Sequence, residues 1–159
     1  SSYLLLTVSA LFIVCAVPAG LAAGKLGRKR TILTGLCMLI LTFASLIFVK
    51  YIPAMFVLMG VGGVSWALIN INSYPMVVEM TSSRGIGKYT GYYYFFSMLA
   101  SIVSPVLFGF LKDILGDGFL FIYASIALVA ALFFMMLVKH GEVKPETKSA
   151  LESIEHMET

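Results

Sequence analysis

Charge is the scarcest thing in this sequence. Only 12% of its 159 residues are Asp, Glu, Lys or Arg, against about 25% in a soluble globular domain. With 60% hydrophobic residues and a mean hydropathy of +0.97, a chain this short cannot hide its apolar surface from water, so its solvent must be lipid. The net charge of +3 is small and scattered, which excludes a nucleic-acid partner. Cysteine is scarce too. Cys15 and Cys37 lie inside apolar runs with no CxxC and no nearby His, which excludes a disulfide or metal framework, and no cofactor is expected. There is no Gly-rich phosphate loop of the Walker type, so an ATP-driven pump domain is excluded. No basic segment precedes the first apolar run, so that run is not a signal peptide. The opening Ser1-Ser2, without an initiator Met, predicts a chain that continues from something longer. Catalytic groups are missing from membrane depth: His140 and His156 follow the last apolar run and no acid sits mid-span. A membrane-embedded enzyme therefore lacks its players, while composition leaves a structural subunit standing.

What is present is a series of apolar runs. A helix needs about 20 mainly apolar residues to cross the hydrocarbon, and five runs qualify: 3–23, 31–49, 53–78, 89–111 and 119–138. Backbone groups in lipid must be satisfied internally, and the alternation of a β-barrel is absent, so the fold class is all-α and polytopic. Residues 1–138 form the membrane bundle and residues 139–159 a polar tail, with Pro145 and mixed charge. Basic residues cluster on one side: Lys25, Arg28, Lys29, Arg30, Arg84, Lys88, Lys139, Lys144 and Lys148, against Lys50 and Lys112 on the other. The positive-inside rule makes the first side cytoplasmic and leaves the N-terminus outside. The expected location is the plasma membrane.

The runs differ in polarity. The second and fifth are nearly plain and are predicted to face lipid. The third carries Trp66, Asn70 and Ser73 at helical spacing on one face, with Asn72, Tyr74 and Pro75 beside them. Pro75 withholds a hydrogen bond from the carbonyl of Ile71. The fourth has a stripe of Thr90, Tyr94, Ser97, Ser101 and Ser104. Polar groups of this kind sit in a protein interior or a wet cavity, or they let helices pack closely. Both readings apply to the stripe and to Gly60, Gly62 and Gly63, while Asn70 and Asn72 favour a cavity or an interhelical role, since an amide unpartnered in lipid is costly.

Between the first two runs stands Gly20-Leu-Ala-Ala-Gly24-Lys25-Leu-Gly27-Arg28-Lys29-Arg30. This resembles the loop signature of the major facilitator superfamily, Gly-x-x-x-Asp-(Arg/Lys)-x-Gly-Arg-(Arg/Lys). Gly20, Lys25, Gly27, Arg28 and Lys29 match, and Gly24 replaces the usual acid. Between the third and fourth runs, Glu79 followed by Arg84-Gly85 is similar to the Glu-x(4)-Arg-Gly element of sugar-porter-like members. The resemblance implies helices eight to twelve of a twelve-helix transporter, with the N-terminal half missing as a partner. It also implies alternating access of a small-molecule solute across the lipid bilayer, with no enzymatic activity. Ser73-Tyr74-Pro75 and Gly91-Tyr-Tyr-Tyr94 resemble sucrose and glycoside–pentoside–hexuronide carriers. Drug and organic-anion exporters share the loop signature and remain the alternative.

Two sites are expected on this basis. Arg28, joined by Lys25, approaches Glu79 with Arg84 nearby as a cytoplasmic gate built on the Gly20–Gly27–Lys29 motif. Trp66, Asn70, Tyr94, Ser97 and Ser101 border the solute pathway. Because no acid is near the midplane, a proton-coupling residue is expected in the missing half; otherwise the carrier is a uniporter or binds a coupling cation through neutral oxygens.

Overall fold

The computed structural model describes residues 2–81 and 85–139. Five long helices account for nearly all of them: α1 (Ser2–Leu26), α2 (Arg28–Phe48), α3 (Ile52–Glu79), α4 (Ile86–Leu115) and α5 (Leu120–Leu137), with one 3₁₀ turn at Asp117–Phe119. No strand occurs among the described residues. Each helix is long and apolar enough to cross a membrane. The polar tail lies outside the described residues after Lys139.

Four helices outrun the predicted spans at one or both ends, and the difference matters most at the first connection. Residues 24–30 read as a loop, yet only Gly27 separates α1 from α2. Its φ of 94° lies in the left-handed region that side chains with a Cβ rarely enter. Its N–H donates to the Ala23 carbonyl at 2.9 Å, and its own carbonyl accepts from the Thr31 N–H at 3.1 Å and the Thr31 hydroxyl at 2.9 Å. The turn is closed by its own backbone, so Lys25 and Arg28 through Arg30 sit on helix ends rather than on a loop.

Helix α3 is the axis of the packing, with α1 and α2 laid against it and α5 against α2. Lipid supplies no hydrophobic force between helices, so close backbone approach takes over. A Cβ on Gly63 would sit 2.5 Å from the Val8 carbonyl oxygen of α1, and one on Gly35 of α2 would sit 2.9 Å from the Ser65 carbonyl oxygen. The second span therefore does not mainly face lipid, as its plain composition led us to expect. Thr31, Ile32, Gly35, Leu36, Leu39, Thr42 and Leu46 are buried, because α2 is wedged between α3 and α5. Its Ile32 and Leu36 join Met76 of α3 in a small core, against which Leu128, Leu132, Met135 and Val138 pack. Neither α4 nor α5 has a fully buried residue.

Candidate functional site

One face of the bundle gathers the end of α1, the start of α2 and the ends of α3 and α5. Its chemistry follows from misplaced charge. A helix N-terminus carries a partial positive charge and a C-terminus a partial negative one. Arg28, Lys29 and Arg30 nevertheless open α2, and Glu79 closes α3. Each is at the end that repels it, so each needs an outside partner.

The structure brings Arg28 and Glu79 together. The Arg28 Nε donates to both carboxylate oxygens at 2.7 Å, and Nη2 stands 2.6 Å from Oε1. The side chains are 30% and 28% exposed, so water partly screens the pair. Lys29 turns the other way. Its Nζ donates to the Val138 carbonyl at 2.5 Å and the Met136 carbonyl at 3.3 Å, answering the negative end of α5. Two adjacent cations thus tie α2 to two different helices. Sequence reasoning placed Lys29 with the gate because its true partner is a backbone carbonyl, which carries no residue signature.

Lys25 is exposed and makes no ion pair among the described residues. Lys88 lies 5.7 Å from the ring centre of Tyr92, within cation–π range. Arg84 lies outside the described residues. Gly20 is partly buried, and a Cβ there would meet only Ile71 at an ordinary 3.9 Å.

The polar face of α3 turned toward α1 and α2 is Ser65, Asn72 and Glu79, seven residues apart, the first two buried and Glu79 part-exposed. Asn72 is fully buried. Its amide donates to the Ala19 carbonyl of α1 at 3.3 Å and to the Leu68 carbonyl at 2.8 Å, while Oδ1 has no partner. Asn72 is thus the interhelical amide. Asn70 instead donates to the Trp66 carbonyl of its own helix at 3.2 Å.

The expected pathway residues lie on a more open side. Trp66 is 49% exposed, and Tyr94, Ser97 and Ser101 are exposed. The Ser101 hydroxyl donates to the Ser97 carbonyl at 2.9 Å. Near the ends of α3 and α4, the Tyr74 and Thr90 hydroxyls are 3.3 Å apart, and Tyr74 packs against Tyr93 and Tyr94 with ring centres 5.5 and 5.9 Å away. Further along α4, Ser104 meets Tyr123 of α5 at 3.1 Å. Trp66 and Ser104 share a cleft, which Asn70, Tyr94, Ser97 and Ser101 do not line.

A sequence model of the Major Facilitator Superfamily matches residues 1–157. The chain belongs to the Major Facilitator Superfamily. No curated protein and no solved structure matches it. Members of this superfamily are solute transporters rather than enzymes, and the five apolar helices make the chain an integral membrane protein. The Arg28–Glu79 ion pair stands at the end of the Gly20–Arg30 stretch that resembles the superfamily's loop signature.

Proposed function

We propose that this chain supplies helices eight to twelve of a secondary or facilitative transporter that moves a sugar or other small organic solute by alternating access. Arg28 and Glu79 form its cytoplasmic gate. The contact between them carries this reading: it is a charge pair held at helix ends that would otherwise repel both partners, and opening that face must break it. Trp66, Asn70, Tyr94, Ser97 and Ser101 border the pathway, and their amides, hydroxyls and aromatic faces suit a hydroxylated solute. The basic side is cytoplasmic, which places the start of α1 outside in the plasma membrane. Glu79 and Asp113 stand at or near helix ends, so a proton-coupling acid belongs to the missing half. The test is solute uptake by the intact transporter in proteoliposomes with and without a proton gradient, comparing wild type with Glu79→Gln and Asp113→Asn. Uptake of a sugar with coupling kept in both variants is expected. Absence of any solute flux defeats the transporter reading, and coupling lost with exchange preserved moves the coupling site into this half.

A further inference from the structure

We infer that the cleft beside Trp66 is a binding site for an uncharged, mainly apolar small molecule that carries a hydrogen-bond acceptor. The proposal goes beyond the transport reading and holds whatever solute the protein moves. The cleft has a volume of about 530 Å³ and draws its walls from all five helices, which is within the usual range of about 300–1,000 Å³ for small-molecule sites. Phe43, Met59 and Leu128 typify the walls, and no charged residue lines them. An ion would enter without a counter-charge. A polyhydroxylated solute would leave most of its hydroxyls facing hydrocarbon.

The few polar groups define the rest of the ligand. Ser104 and Tyr123 share one hydrogen bond across 3.1 Å. When one hydroxyl donates to the other, one O–H proton is left over. The Trp66 indole N–H has no partner among the described residues. The indole can only donate and the leftover O–H proton is a second donor, so the one group that answers both is an acceptor such as a carbonyl or ether oxygen. Phospholipid tails fit these donors poorly. Trp66 stands at the middle of α3, about 20 Å from either helix end at 1.5 Å per residue, far from the ester oxygens near the membrane surface.

Trp66 is the single tryptophan of this sequence, so with any tryptophan elsewhere in the intact transporter replaced by Phe, its fluorescence reports on the cleft. The intact transporter is reconstituted in lipid nanodiscs and titrated with 4-bromobenzophenone, which is neutral, apolar, carries one carbonyl and quenches indole on contact. Saturable quenching is expected. Removing both hydroxyls, Ser104→Ala with Tyr123→Phe, should weaken it about three- to tenfold, as loss of one hydrogen bond implies, and Ala127→Phe, which fills a wall position, should weaken it by more. The helical circular dichroism of each variant checks its fold. Ultraviolet irradiation of the unaltered chain gives a second readout, because the excited ketone takes a hydrogen atom from a neighbouring C–H and bonds to that carbon. Adducts are expected at Met59 or Leu128. Quenching that rises linearly with the bilayer content of probe and ignores both variants overturns the proposal. So do adducts confined to exposed positions such as Phe133 and Phe134. If phospholipids with brominated acyl chains quench Trp66 with the same sensitivity to Ala127→Phe, a lipid tail fills the cleft and the proposal also fails.

Discussion

Neutralising Glu79 should open the face that Arg28 closes. Glu79→Gln leaves a side chain of nearly the same shape, so packing at the end of α3 changes little while the charge disappears. Three close contacts from one guanidinium are the geometry of a strong pair. Hydrogen bonds to charged groups reach about 1.5–3 kcal/mol, but exposed ion pairs typically measure only about 0.2–1 kcal/mol. With close to a third of each side chain open to solvent, the value lies near the top of the exposed range, about 1 kcal/mol. That is roughly a fivefold shift from closed toward open at room temperature. The assay is a double-mutant cycle of Arg28→Gln, Glu79→Gln and both together. It is read as the rate at which a cysteine at Ser97, in an intact transporter freed of Cys15, Cys37 and any other cysteine, reacts with an impermeant thiol reagent from the cytoplasmic side. Each single variant should speed labelling about fivefold, the double variant should add little, and the exchange Arg28→Glu with Glu79→Arg should recover much of the loss. Unchanged labelling in Glu79→Gln, or a coupling below about 0.2 kcal/mol, the floor of measured exposed pairs, refutes the gate.

Lys29→Gln should raise amide hydrogen exchange in the last turn of α5 about two- to fivefold, as loss of a charge at a helix end worth about 0.3–1 kcal/mol implies, while α1 stays unchanged. Gly63→Ala should destabilise the bundle by about 1–3 kcal/mol in denaturant unfolding, since its methyl would be driven into the Val8 backbone. Gly24→Ala, with open space around its Cβ position, should change stability by under about 0.5 kcal/mol. Cysteines placed singly at Trp66, Asn70, Tyr94, Ser97 and Ser101 of the intact transporter should react with a water-soluble thiol reagent and be protected by solute. If all five stay unlabelled while a cysteine at Lys139 reacts, the pathway assignment is wrong.

The number and helical nature of the spans were legible in the sequence because lipid leaves the backbone a single solution for an isolated apolar run. Which way each span turns was not. A leucine facing another helix and a leucine facing acyl chains meet much the same chemistry, so the burial of Leu36 and Leu39 leaves no trace in composition. Gly63 was visible among the small residues of the third span, but its partner is the backbone of Val8, and Gly35, which meets the backbone of Ser65, was not singled out. The acid of the charge pair stood out because Glu79 is the sole acid on the basic side before the tail. The division of labour between Arg28 and Lys29 did not, since one partner is a side chain and the other a helix end. Asn70 and Asn72 differ by 200° around α3, and only the position of α1 decides which amide is interhelical.

The single glycine between α1 and α2 has a mechanical consequence. One residue spans at most about 3.6 Å, while packed helix axes lie about 8–10 Å apart, so the connection has no slack. Neither helix can slide along the bilayer normal without carrying the other. Any rocking that lifts α1 must pull the start of α2 by the same amount, and with it the two cations that grip α3 and α5. Displacement of α1 would thus arrive at the charge pair as tension along a short rigid linkage, through a joint that can pivot but cannot lengthen.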